Sequence, residues 1–329
     1  MLGTLFDKVT GLFDSRFILA LLLPVFALAA GIGALAATMI GWHQTLAWWA
    51  GLDAARQVAL GVAAAAAIVM LAVIAGTQVV AMTRVLEGYW RRAWVDQTLG
   101  RLGRHREGKR RQRLAGDTSD PGYQRSYLSF PPPPAEVLPT RLGNALRAAE
   151  SYPGDAQRWG LDAVFWWPRL YLILPDSARG QVDDARASLD QLVVLTILSA
   201  AFGTVSLGLS CAGLNLAVGL GAAAGAFLLS RACYLSAVTS AIVLGELVRS
   251  CYDLFRGDLL KALGWPMPPV LEGERALWSA LGQQLYQRGT SAQGDALLNA
   301  PRQPPAPRPD GNGPDGVTDG PFEMRVWRV

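Results

Sequence analysis

Lysine is almost missing from this chain of 329 residues: of its 30 basic residues, only Lys8, Lys109 and Lys261 are lysines and the others are arginine. Such arginine use beside abundant Ala and Gly looks like GC-rich coding, so the arginine count alone carries no function. Cysteine is as scarce. Cys211, Cys233 and Cys251 cannot form a disulfide framework, because on one helix Cys233 and Cys251 stand roughly 27 Å apart; all three read as packing residues. His43 and His105 fall on opposite sides of the apolar stretch that follows His43, which leaves no His/Cys metal constellation, and neither a metal nor another cofactor is expected. The most informative absence is of charge. Residues 17–41, 58–82 and 192–230 contain no Asp, Glu, Lys, Arg or His, so the groups that usually carry proton-coupled transport inside a bilayer are missing. Catalytic signatures are missing too: there is no HExxH, CxxC or GxSxG, and no enzyme is expected. Gly103, Gly108 and Lys109 imitate a phosphate loop, but Arg110 stands where a metal-binding hydroxyl is required, and Gly311, Gly313 and Gly316 imitate a dinucleotide loop inside a Pro-rich tail; both are chance matches.

What is present is oil. Hydrophobic residues make up 51% of the chain and charged ones 17%, too apolar for an ordinary soluble domain. Residues 17–41 read as a first membrane span with Pro24 as a kink; Ala34-Leu35-Ala36 imitates a signal-peptide cleavage site, but the apolar run outlasts a signal sequence. Residues 42–56 carry Trp42, Trp48 and Trp49 with little charge, an aromatic belt, and 58–82 form a second span. Residues 192–209 and 214–229 make a hairpin of two further spans around a turn at 210–213. Apolar periodicity continues past Arg231 through Tyr234, Ala237, Ala241, Leu244, Val248 and Tyr252, so the last span should leave the bilayer as an unbroken helix. Arg84, Arg91, Arg92, Arg101, Arg104, Arg106, Lys109, Arg110, Arg111 and Arg113 follow the second span, against Arg56 alone between the first two. The positive-inside rule therefore places that segment and both chain ends in the cytoplasm.

The expected fold is all-α: a polytopic membrane protein with four transmembrane helices and a helical cytoplasmic domain. It divides into an interfacial amphipathic helix (1–16), a first transmembrane hairpin (17–82), a cytoplasmic helical domain with a basic juxtamembrane segment and a Pro-rich linker (83–190), a second hairpin (191–233), cytoplasmic helices (234–290) and a disordered tail (291–329). Within the linker, Pro131 to Pro134 suit a polyproline spacer. Thr140 is the expected cap of a helix running to about Ser151 and ending before Pro153. The aromatic stretch 159–174, with Asp162, Pro168 and Arg169, makes a poor span and suits a domain core or a segment under the leaflet; Pro175-Asp176 opens a helix in which Arg179/Asp183 and Arg186/Asp190 pair at i,i+4. Gly264-Trp265-Pro266 breaks the long helix, and 271–288 form a last amphipathic one.

Several phrases resemble a family of uncharacterised bacterial, actinobacterial-type four-span integral membrane proteins: residues 84–90 (Arg-Val-Leu-Glu-Gly-Tyr-Trp), 140–150 opening on Thr-Arg-Leu-Gly-Asn, Trp167-Pro168-Arg169-Leu170, Leu174-Pro175 and 234–263. The resemblance covers most of 17–285, implies a shared architecture and brings no activity.

Small and hydroxyl residues supply the candidate sites. Thr196, Ser199, Gly203, Ser206 and Ser210 recur at 3,4,3,4 spacing on one stripe of the third span, suited to a packing seam or to the wall of a narrow pore. Gly221 and Gly225 form a GxxxG on the fourth, with Ala217 one turn earlier, a helix-packing face. Arg104, Arg106, Lys109, Arg110, Arg111 and Arg231 are the expected contacts to anionic lipid headgroups. A nucleic-acid role is not expected, because no aromatic residues interleave with the basic run to stack on bases. The expectation is a homo-oligomeric inner-membrane protein with a cytoplasmic interaction or assembly module, partnered by membrane lipids, its own copies and a cytoplasmic protein. The alternative is an ion channel or membrane pore lined by the third transmembrane helix.

Overall fold

The computed structural model describes residues 18–90, 92–114, 129–155 and 157–287. The expected helix at 1–16, residues 116–128 of the linker, the tail at 291–329 and the glycines at 311, 313 and 316 lie outside them. Among the described residues the chain is all-helical, 83% helix with no strand. Four helices are long and apolar enough to cross a membrane: Ala20–Ile40, Ala54–Thr77, Asp176–Cys211 and Leu216–Ala262. The chain divides into two compact units, residues 1–101 with 184–241 and residues 102–183 with 242–329.

In the first unit a π-helical turn Ile18–Leu22 leads into α1 (Leu23–Ile40), which takes Pro24 in its first turn, where the missing amide costs nothing. Gly41, at φ 102°, ends α1 and lets a separate helix, α2 (Trp42–Ala50), begin at once. The Trp-rich segment expected as an aromatic belt is thus helical over Trp42–Ala50. α3 (Ala54–Thr77) starts on Asp53, whose carboxylate accepts from the Arg56 amide at 2.7 Å. That cap brings the second span in four residues earlier than its apolar run begins, and the helix stops at Gln78, beyond which α4 (Val79–Glu87) continues. The core is built from small residues: Val25, Ala72 and Ala75 are buried, with Leu21, Leu22, Ile68, Met82 and Leu198 packed against them. Outward, α3 is strongly apolar. Val58, Val62, Met70 and Leu71 are exposed, and only 11% of its most apolar stretch is buried, a surface suited to hydrocarbon.

Two long helices contribute to both units: α8 (Asp176–Cys211, 36 residues) and α9 (Leu216–Ala262, 47 residues). At 1.5 Å per residue they are about 54 and 70 Å long, well beyond the ~30 Å of a bilayer's hydrocarbon. Each therefore runs on past any span, as the unbroken periodicity implied. Asn215 opens α9, its side chain accepting from the Ala217 amide at 3.0 Å.

The second unit contains α5 (Arg101–Leu114, counted here from Leu102), α6 (Arg141–Glu150), α7 (Ala163–Ile173), the start of α8, the end of α9 and α10 (Leu271–Gly282). Thr140 caps α6 as expected, accepting from the Gly143 amide at 3.1 Å. Asp162 does the same for α7, taking the Val164 amide at 3.0 Å. The aromatic stretch is then helical, and Trp166, Trp167 and Leu170 are buried. Trp166 meets Trp278 of α10 edge to face at 4.9 Å, and the Tyr252 hydroxyl of α9 donates to the Ala163 carbonyl at 3.0 Å. Gly245 brings α9 against α6, since a Cβ there would lie 3.2 Å from that of Ala149. The proline run expected as a polyproline spacer is packed at its start: Phe130 and Pro131 are buried, and the Pro132 carbonyl accepts from Arg111. Arg186 pairs with Asp190 at 3.0 Å, whereas Arg179 turns to Asp176 at 3.3 Å and Asp183 accepts the Tyr171 hydroxyl at 2.7 Å. Trp265 and the αL Gly264 close α9 with amides returned to Leu260 and Lys261.

Candidate functional site

The hydroxyl stripe of α8 lies against α9 of the same chain. Gly203 takes the Phe227 ring, to which an added Cβ would come within 3.0 Å, and Gly219 takes the Ser210 hydroxyl, which a Cβ would overlap at 1.7 Å. Ser230 donates across the seam to the Thr196 carbonyl at 2.9 Å. Three of the four hydroxyls are spent within α8: Thr196 on the Leu192 carbonyl (2.7 Å), Ser206 on Phe202 (2.8 Å) and Ser210 on Ser206 (2.9 Å). Thr196, Gly203 and Ser206 are buried, while Ser199 and Ser210 are half-buried.

The face of α9 that meets α8 carries Gly219, Ala223, Ala226 and Ser230, not the GxxxG. Ala217, Gly221 and Gly225 are exposed, and a Cβ on either glycine would meet nothing within 4 Å. Residues 219, 223, 226 and 230 are spaced 4,3,4, as regular a ridge as the one singled out from sequence. A span with small residues on two sides does not declare which side is used.

The basic residues separate into two groups. Glu107 is buried and draws Arg110 (3.3 Å) and Arg141 (3.8 Å) to itself; Arg110 also lies 5.6 Å over the Phe130 ring. Arg111 is half-buried against the Pro132 carbonyl, and burial pushes its guanidinium pKa down. Arg104 is half-buried; Arg106 and Lys109 are exposed, as is Arg231, which sits 5.9 Å over the Tyr234 ring. Arg169 folds back on Phe165, its guanidinium 3.8 Å over the ring and donating to the Phe165 carbonyl at 2.7 Å, beside the buried Trp166 and Trp167.

Sequence reasoning passed over one polar network in the second unit. The Tyr152 hydroxyl donates to Asp253 (2.9 Å) and accepts from Arg158 (2.8 Å), and Arg158 covers the Tyr152 ring at 3.8 Å. Arg256 pairs with the buried Glu274 at 3.0 Å and lies 4.3 Å over Trp159, while the Trp278 indole donates to the same carboxylate at 3.2 Å. The buried Arg249 lies 5.4 Å over Tyr152 and 3.7 Å from Glu246. The sequence signal was the 4,3 spacing of Arg249, Asp253 and Arg256 along α9. Chemically this is a clamp of ion pairs and stacked cations that ties Tyr152, Arg158 and Trp159 to α9 and α10. Among the described residues no three His, Cys, Asp or Glu side chains group as metal ligands, and His43 and His105 belong to different units. Comparison with protein-family models, curated proteins and solved structures finds no match for this chain.

Proposed function

We propose that the chain is a homo-oligomeric protein of the bacterial inner membrane, both ends cytoplasmic, whose helical second unit is an interaction or assembly module. One observation carries the reading: the Ala217, Gly221 and Gly225 ridge stands open on a helix suited to the bilayer. In lipid, ridges of this kind let backbones approach, and among the described residues a Cβ at Gly221 or Gly225 meets nothing within 4 Å. α3 also presents an exposed apolar face, with Val58, Val62, Met70 and Leu71. A pore lined by α8 has less behind it, because Thr196, Gly203 and Ser210 meet α9 and the hydroxyls of Thr196, Ser206 and Ser210 are spent on α8 carbonyls.

The test is self-association in liposomes by single-molecule photobleaching at graded protein-to-lipid ratios. Wild type should form oligomers, and the double variant Gly221→Ile/Gly225→Ile should weaken association about tenfold, ~1.4 kcal/mol. A wild type that stays monomeric at every ratio refutes the proposal.

A further inference from the structure

From its sequence α5 is a helix charged on all sides, with Glu107 set among arginines. Folding sorts those charges. With 3.6 residues per turn, Leu102, His105, Arg106, Lys109 and Arg113 fall within an arc of about 100°, and all of them are exposed. Gly103, Glu107, Arg110 and Arg111 occupy the opposite side: Gly103 lies on Pro139, Glu107 is buried between Arg110 and Arg141, and Arg111 is committed to Pro132. The helix's one acid is thereby withdrawn, and what remains outside is a face of cations with no ion pair to an acid among the described residues.

We propose that this face of α5 docks on an anionic lipid leaflet through Arg106, Lys109 and Arg113, with Leu102 entering its apolar margin. The proposal rests on the membrane reading of the chain and replaces half of the lipid contacts expected from sequence: Arg104, Arg110 and Arg111 face inward or are half-buried, and Arg113 takes their place. Charge complementarity selects the occupant. Each cation near a leaflet of acidic lipid favours adsorption about fivefold, so three favour it about a hundredfold. Four helices suited to a bilayer are tethered to the same chain, which keeps a leaflet at hand. No Phe, Tyr or Trp side chain lies on the face to stack on bases, and the exposed Leu102 suits an acyl margin.

Hydrogen exchange followed by mass spectrometry on the full chain in nanodiscs tests this. In discs of phosphatidylcholine with about one-third phosphatidylglycerol, amides of residues 102–114 should exchange about fivefold or more slowly than in pure phosphatidylcholine. Added salt should remove the difference, as should Arg106→Gln/Lys109→Gln/Arg113→Gln, three exposed changes. Salt reversal on the wild type keeps the test independent of the variant's folding. Equal exchange in both discs overturns the proposal while leaving the membrane reading intact. A chain that stays soluble without detergent and does not enter discs overturns both. Protection by a single-stranded oligonucleotide that exceeds protection by anionic discs assigns the face to nucleic acid and overturns the leaflet as its occupant.

Discussion

Two glycines five positions apart on α5 should respond to the same substitution with opposite signs. An alanine methyl at residue 103 would stand 2.5 Å from the Pro139 carbonyl oxygen, 2.7 Å from its Cβ and 3.0 Å from its Cα. Two of these are backbone atoms in a ring-constrained residue and cannot turn away, so α5 must retreat by about 1 Å to reach van der Waals contact. Retreat loosens the Arg141 to Glu107 pair and the Arg111 bond to Pro132. Overpacking of this kind costs about 1–3 kcal/mol, against a helix-propensity gain of about 0.5–1 kcal/mol for replacing Gly. Gly103→Ala should therefore destabilise by about 1–2 kcal/mol. At Gly108 an added methyl meets nothing within 4 Å, so Gly108→Ala keeps only the gain. Thermal unfolding in detergent should place the two variants on either side of wild type, roughly 5–10 °C apart. If both substitutions raise the midpoint equally, α5 does not lie on Pro139 and the sorting of its charges fails with it.

Asn144, wholly buried, accepts from the Leu138 amide at 2.7 Å and donates to the Leu138 carbonyl at 3.0 Å. Asn144→Ala strips both backbone groups of their partner and should cost about 2–3 kcal/mol in denaturant midpoints, and Asn144→Asp, which accepts but cannot donate when ionised, should not rescue it. Burial first, and then the hydrogen bond to Asp183, push the Tyr171 phenol up to about 12. The folded state thus holds this proton more tightly than the unfolded chain, whose phenol titrates at the ordinary 10. The stabilisation should be complete below pH 10 and be lost as pH rises through 12; phenolate absorbance should show a step near pH 12 that disappears in Tyr171→Phe and moves down in Asp183→Asn.

Much of the scaffold could be read from residues alone because membranes demand uninterrupted apolar length. The four apolar helices, the turn at Gly213, the unbroken passages through α8 and α9, the Thr140 cap and the break at Gly264 all follow from local composition. What escaped was decided by neighbours. α2 is helical because Gly41 ends α1 without ending helicity, and α3 starts early because Asp53 caps it. The side of α9 that faces α8 is chosen by Phe227 and Ser210 filling the glycines at 203 and 219, a fit between two surfaces that neither helix displays by itself. The inward turn of Glu107 likewise depends on Arg141, far along the chain. Tyr152, bonded to Arg158, meets Asp253, and Arg256 meets Glu274, only after α9 and α10 assemble with the residues that follow α6.

The stretch from Pro131 to Pro139 holds prolines at 131, 132, 133, 134 and 139, so most of its backbone nitrogens have no hydrogen to give. Such a strap cannot knit itself; beyond a short turn at Pro134–Glu136 it is held by side chains reaching in from α5 and α6. Its order is borrowed, and either lender can withdraw it. A protease site engineered into the strap would act as a gauge of helix docking, silent while both helices are seated and cut as soon as one lets go.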